Sequence, residues 1–232
     1  LELLDAGQGG MAARKFNEAE ILYPQSIWAP RASLMSAYSY YHFDSYDDAI
    51  QEIDRYLKKY PSHQNKDYAF YLKSICYYNQ ISDEKKDLGP IVEAKKNFEY
   101  IMNNYPKSEF ALDAEYKLEL INEILASKEM YIARFYMEKE KWIPSINRFK
   151  KVVKDYDKSI YVEEALFRLV EIHYRIGLED EAKKYAHLLG YNYQSSKWYE
   201  NSYRIFNQKF KKKRVIEKNK TKSILEKIKS LL

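Results

Sequence analysis

Five tyrosines in one register constrain this chain more than any other feature. Tyr-Pro occurs at 23–24, 60–61 and 105–106. Eleven residues before each Tyr stands Ala12, Ala49 or Ala94, and seven before it Phe16, Ile53 or Phe98. The same template fits Ser145, Phe149 and Tyr156, followed by Asp157, and Ala182, Ala186 and Tyr193, followed by Gln194. A small residue at i and apolar ones at i+4 and near i+7 form one stripe of an amphipathic helix, and Pro after the last turn stops it. Each copy therefore ends a helix. Four of the five tyrosines have Ser three positions on (Ser26, Ser108, Ser159 and Ser196, with His63 in the second copy), placed to cap the next helix. Ahead of the anchors a small residue precedes Tyr by three at Ala37/Tyr40, Ser74/Tyr77 and Ala133/Tyr136, which marks the preceding helix. The unit is an antiparallel helix pair, repeated.

Composition supports an all-α chain. Six Gly and six Pro cannot serve the many turns of an all-β protein, and 24 Tyr against ten Phe reflect the repeated tyrosine. The anchors step by 37, 45, 51 and 37 residues. The extra length before Ala94 falls in Ser82–Pro90, a charged stretch with Gly-Pro that predicts a loop. The extra length before Ser145 falls in Glu109–Lys141, which has no Gly or Pro and predicts one long helix or two nearly collinear ones. The first-helix position of the first repeat would fall just before Leu1, so the spacing predicts that the sequence starts inside a repeat. Three regions follow: residues 1–107 with repeats one to three, 108–206 with the long helix and repeats four and five, and a C-terminal helix over 207–232.

No enzyme signature is present. The glycines form no phosphate loop, and His42, His63, His173 and His187 are too far apart to pair as ligands. Asp47/Asp48 and Glu163/Glu164 read as helix-start charges opposing the macrodipole rather than as acid–base pairs. Cys76 alone excludes an intrachain disulfide framework and a multi-cysteine metal site. The sequence therefore predicts no catalysis, no cofactor and no metal. Mean hydropathy is −0.66, no long uncharged apolar run exists, and Leu1–Asp5 lacks the basic start of a signal peptide.

The pair spacing resembles the tetratricopeptide repeat, whose usual period is about 34 residues. The chain further resembles one family, the outer-membrane assembly lipoprotein D (BamD) family of the bacterial β-barrel assembly machinery. The resemblance covers about residues 11–206. Its residues include Tyr23-Pro-Gln-Ser-Ile-Trp-Ala-Pro30, Tyr46-Asp-Asp-Ala-Ile50, Tyr105-Pro-Lys-Ser108, Leu125-Ala-Ser-Lys-Glu-Met130, Ala133-Arg-Phe-Tyr136, Tyr161-Val-Glu-Glu-Ala165 and Leu189-Gly-Tyr-Asn-Tyr193. Gly7-Gln-Gly-Gly10 replaces the family's aromatic turn, Tyr-Asp and Tyr-Gln replace two Tyr-Pro pairs, and the lipidated N-terminal Cys is missing. The resemblance implies a non-catalytic scaffold on the periplasmic face of the outer membrane, lipid-anchored through upstream sequence. Its implied partners are the periplasmic domains of the barrel-forming assembly protein, accessory assembly lipoproteins, and unfolded outer-membrane proteins through their C-terminal signal. Nucleic acid is not among them. The alternative is a general repeat adaptor in another envelope complex.

In this fold the first helices line the concave face, which selects Arg31, Leu34, Tyr38, Tyr41 and His42, then Tyr68, Tyr71, Ile75 and Tyr78, as a peptide groove. Tyrosine suits such a groove because it is amphipathic and cheap to order; the rings could equally pack between adjacent helices. In the later repeats the same face carries Met130, Arg134, Met137, Phe167, Glu171, Tyr174 and Arg175, a more charged mix suited to a folded partner. Residues 207–232 hold ten Lys/Arg against Glu217 and Glu226, a local +8 that leaves −3 for the body from the net +5. Ile224, Leu225 and Ile228 lie at helical spacing there, for capping the last repeat and for partner docking.

Overall fold

In a computed structural model of the chain, which describes residues 2–81 and 88–207, every regular element is an α-helix. In order they are α1 (Glu2–Asp5), α2 (Gly9–Leu22), α3 (Ala29–His42), α4 (Tyr46–Lys59), α5 (Lys66–Asn79), α6 (Gly89–Asn104), α7 (Phe110–Glu138), α8 (Trp142–Asp155), α9 (Val162–Arg175), α10 (Glu179–Asn192) and α11 (Lys197–Phe206). They form helix pairs α1/α2, α3/α4, α5/α6, α7/α8 and α9/α10, a tetratricopeptide-type array. The segment Glu109–Lys141 holds a single helix, α7, of 29 residues. Gly89 and Pro90, expected to close a loop, instead open α6, because Pro in the first helical turn has φ preset and no N–H to satisfy. Of the C-terminal helix expected over 207–232, with Ile224, Leu225 and Ile228, only Asn207 is among the described residues, as the C-cap of α11.

The five register tyrosines build five copies of one turn. Tyr23, Tyr60, Tyr105, Tyr156 and Tyr193 are the C-caps of α2, α4, α6, α8 and α10. Each carbonyl accepts the N–H three residues on, from Ser26, His63, Ser108, Ser159 and Ser196, at 2.9–3.1 Å. The serine hydroxyl then accepts an N–H two residues further, as Ser26 does from Trp28, Ser108 from Phe110, Ser159 from Tyr161 and Ser196 from Trp198. Where His63 replaces Ser, its Nδ1 takes that role for Asn65 N–H at 3.3 Å and also meets Tyr56 Oη at 2.7 Å. The turn survives loss of Pro at Asp157 and Gln194 because its hydrogen bonds need only the backbone and the hydroxyl.

The chain forms two compact units, Leu1–Ile124 and Leu125–Leu232. The first unit packs Leu34, Ala37, Ala49, Ile53, Tyr56, Ala69, Leu72 and Cys76 into a core. The Cys76 thiol is pushed up to about 12 by burial, so it stays protonated and unreactive. The second unit packs Met130, Ala133, Phe149, Val152, Ala165, Leu169 and Ile172, with a satellite of Val162, Leu166, Phe167 and Leu189. The anchors Ala49, Ala94, Ser145 and Ala182 are fully buried and Ala12 nearly so. Small side chains there let neighbouring helices approach closely, and Ser145 adds a hydroxyl bond to the Ala133 carbonyl at 2.8 Å across its crossing. One helix exceeds the five expected pairs: α11, introduced by Ser196 as N-cap, follows α10.

Candidate functional site

First helices present the tyrosines of the first unit on a common side. A groove of about 360 Å3 is lined by Tyr38 and Tyr41 from α3, by Tyr68, Tyr71, Leu72, Ile75 and Asn79 from α5, and by Asp113 and Lys117 from α7. Tyr38 and Tyr41 have ring centroids 6.1 Å apart, and Tyr71 stacks on Phe110 at 4.8 Å. The Tyr71 hydroxyl donates to Asp113 Oδ2 at 2.7 Å. Burial, reinforced by that carboxylate, raises the Tyr71 pKa, and burial, with smaller contributions from Tyr38, Tyr41 and Cys76, brings Tyr68 up to about 12. Burial likewise raises Tyr41, partly countered by a hydrogen bond from Asn79. These phenols remain neutral donors at physiological pH. Lys117 places its ammonium 4.8 Å from the Tyr78 ring centroid, a cation–π contact.

Of the residues the sequence assigned to a peptide groove, the structure gathers Tyr38, Tyr41, Tyr68, Tyr71 and Ile75. Tyr78 adjoins them through Lys117. Leu34 is buried in the core beneath. Arg31 faces elsewhere, its guanidinium 5.0 Å from the Trp28 ring centroid on a separate cavity with Ile27, Ser62 and His63. His42 stacks against Tyr38 at 5.9 Å. Asp113 and Lys117 were missed, although their i,i+4 spacing in the first turns of α7 repeats the first-helix geometry of α3 and α5.

In the second unit, the charged residues expected to meet a partner are engaged with one another. Arg134 takes Glu164 in a two-pronged contact at 3.0 and 2.6 Å, and Arg168 bridges Glu164 at 3.3 Å and Glu171 at 2.9 Å. Arg175 continues the ladder to Glu171 at 3.6 Å and covers the Trp142 ring. Burial pushes the Glu164 carboxyl up, but Arg134 and Arg168 outweigh it and hold the pKa below the usual 4.5. Glu164 is thus a structural ligand of two arginines besides lying in the first turn of α9. Phe167 is buried against Trp198, Met130 is in the core, and Tyr174 meets Phe206 edge-on at 5.5 Å, leaving Tyr174 and Arg175 as the exposed members. No group of three His, Cys, Asp or Glu side chains among the described residues is arranged to hold a metal. No described helix is long and apolar enough to cross a membrane.

Comparison with known proteins places this geometry. Residues 1–188 match the outer membrane lipoprotein family YfiO. The chain belongs to that family. Within it, the chain is similar to the outer membrane protein assembly factor BamD of Caulobacter vibrioides, at 39% identity over 204 residues, 88% of this chain and 67% of that protein. It is similar to the protein of the same name from Rickettsia prowazekii at 39% over 203 residues, covering 88% and 81%. A Neisseria meningitidis serogroup B BamD is 32% identical over 174 residues, covering 71% and 65%. In this lipoprotein-family member the tyrosine groove lies wholly within the matched residues.

Proposed function

We propose that this protein is an outer-membrane protein assembly factor that works as a binding scaffold without catalysis. It is held at the periplasmic face of the outer membrane by an N-terminal lipid on the full-length protein. The groove of the first unit takes an extended C-terminal segment of an unfolded outer-membrane protein. The second unit, with residues 207–232, takes the periplasmic domains of the barrel-forming assembly protein and accessory lipoproteins. The observation that carries this reading is the convergence of four tyrosines from two first helices on one groove rimmed by a single ammonium. Neutral phenols donate to the free carbonyls of an extended backbone, the rings stack on aromatic side chains, and Lys117 offers a counter-charge for a terminal carboxylate. Ordering an unfolded segment costs conformational entropy, so the affinity is modest.

The test is photocrosslinking with a synthetic peptide that ends in an aromatic residue with a free carboxylate. Adducts are expected at Tyr41, Tyr68 and Tyr71, and amidating the peptide terminus should weaken binding several-fold. Adducts confined to residues beyond 130 would reject this placement.

A further inference from the structure

The five turns between helix pairs share one hydrogen-bonding pattern, so their outward side chains can be compared place by place. Two before the register tyrosine, one before it and four after it, the first copy carries Ile21, Leu22 and Ile27. The second copy carries Lys58, Lys59 and Gln64 there, and the third Asn103, Asn104 and Glu109. The fourth and fifth each have one apolar residue, Ile160 or Tyr191, beside charged or polar neighbours. Only the first copy is apolar at all three places, and its residues are 70–81% exposed. Its two aromatic residues also face water. Tyr23 is exposed, whereas Tyr105 packs on Phe70 and Tyr193 joins the satellite core of the second unit. Trp28 is 60% exposed, whereas at the same place Phe110 stacks on Tyr71 and Trp198 packs on Phe167. Ser26 draws the turn tight, its N–H donating to the Tyr23 carbonyl at 3.0 Å and its hydroxyl accepting from Trp28 N–H at 3.2 Å. Five large apolar side chains thus leave the first unit within eight residues, a concentration that marks an interaction site.

We infer that this turn is a membrane-contact site, and that its partner is the lipid surface of the leaflet that carries the anchor. The inference rests on the proposed reading of a protein held at the outer membrane by an N-terminal lipid, and the family is one of outer membrane lipoproteins. Three observations favour lipid over a protein partner. Aliphatic tips flanked by Trp and Tyr are the chemistry of the membrane–water interface, where amphipathic rings sit at headgroup level. Arg31 is exposed with its guanidinium 5.0 Å from the Trp28 ring centroid, so a ring at headgroup depth brings that cation to a lipid phosphate. Of the five copies, the first is the one that an N-terminal lipid brings nearest to the membrane along the chain. Ile21, Leu22 and Ile27 enter the headgroup–acyl boundary, to a depth of about 5–10 Å. The lipid supplies attachment, and the turn fixes which side of the first unit faces the bilayer.

The test uses the full chain with Trp142→Phe and Trp198→Phe, which leaves Trp28 as the reporter. An N-terminal histidine tag holds it on phosphatidylcholine vesicles that contain a nickel-chelating lipid and brominated acyl chains. At high salt the basic run Lys209–Arg214 adds no attraction. Trp28 emission is expected to shift to the blue and to be quenched several-fold. A chain that keeps only Trp198, tethered in the same way, should be unaffected. Adding Leu22→Asp and Ile27→Asp to the Trp28 chain should abolish the quenching with the melting temperature unchanged, because both side chains are exposed. Unquenched Trp28, equal quenching of Trp198, or quenching that survives the two aspartates would overturn the inference. Fractionation of the lipidated full-length protein separates this failure from failure of the anchor. Recovery with membranes leaves the anchor standing whatever the turn does, while loss from them removes the anchor reading and the inference with it.

Discussion

Gly9 and Gly10 are neighbours in the first turn of α2, yet they respond oppositely to the same substitution. A Cβ on Gly9 would fall 1.7 Å from the Phe43 ring and 2.3 Å from the ring carbon that anchors it, so the whole side chain would have to leave its rotamer. A Cβ on Gly10 meets nothing within 4 Å. Replacing a helical Gly by Ala ordinarily gains up to about 1 kcal/mol, while overpacking costs about 1–3 kcal/mol. Gly10→Ala should therefore raise the urea midpoint slightly, and Gly9→Ala should lower it. Equal midpoints for the two variants would contradict this packing of Phe43 on α2.

At the scale of elements, the turn inside each pair follows one rule that the sequence disguises. Gly7, Asp44, Glu140 and Gly177 all have φ between 55° and 83°, the left-handed region. In each, the following N–H reaches back five residues, as Gln8 to Leu3, Ser45 to Tyr40, Lys141 to Tyr136 and Leu178 to His173. This is the hydrogen bond of a Schellman cap, in which glycine avoids the Cβ penalty. Glu140→Gly should stabilise the protein by about 0.5–1 kcal/mol, read from thermal or urea unfolding, whereas Gly177→Ala should cost about 1 kcal/mol. A loss of stability on Glu140→Gly would show that its side chain matters more than its backbone. The pairs themselves were legible because the Ala, Phe and Tyr anchors recur in sequence. These caps were not, since Gly, Asp and Glu share no chemistry that a template would find. Helix α11 was legible only at its start, where Ser196-x-Trp198 repeats Ser26-x-Trp28, because the small, apolar and Tyr anchors do not recur in the sequence after it. In the groove the phenols were legible as a first-helix stripe; Asp113 and Lys117 were hidden because the extra length of α7 draws the small-residue/Tyr marker to Ala133/Tyr136, far from the helix start.

For the whole molecule, the charges that matter to stability are three acids taken out of water and surrounded by cations. Glu20 is fully buried, with Lys59 at 2.8 Å, Tyr60 at 2.7 Å and Arg55 at 2.7 Å. Glu129 is held by Lys151 at 2.6 Å and Arg148 at 2.9 Å, and Glu164 by Arg134 and Arg168. Burial pushes each carboxyl up, yet the partners outweigh it and all three lie below the usual 4.5. A carboxyl whose folded pKa is lowered binds fewer protons folded than unfolded, so its contribution is complete above 4.5 and is lost as pH falls through the folded value. Stability should thus be nearly flat from neutral pH down to about 5 as far as these acids are concerned, then decline steeply, with both units weakening because each contains at least one such acid. Glu164→Gln isolates one site. Its arginine partners are partly exposed and regain water, so the expected cost at pH 7 is about 1–3 kcal/mol rather than the full penalty of a stranded buried charge. At pH 3 the wild-type carboxyl is itself being neutralised, so the gap between the urea midpoints of wild type and Glu164→Gln should narrow. A gap that stays constant from pH 7 to pH 3 would mean that Glu164 acts by packing and hydrogen-bond shape alone, and that the ladder Arg134–Glu164–Arg168–Glu171 carries no net electrostatic stability.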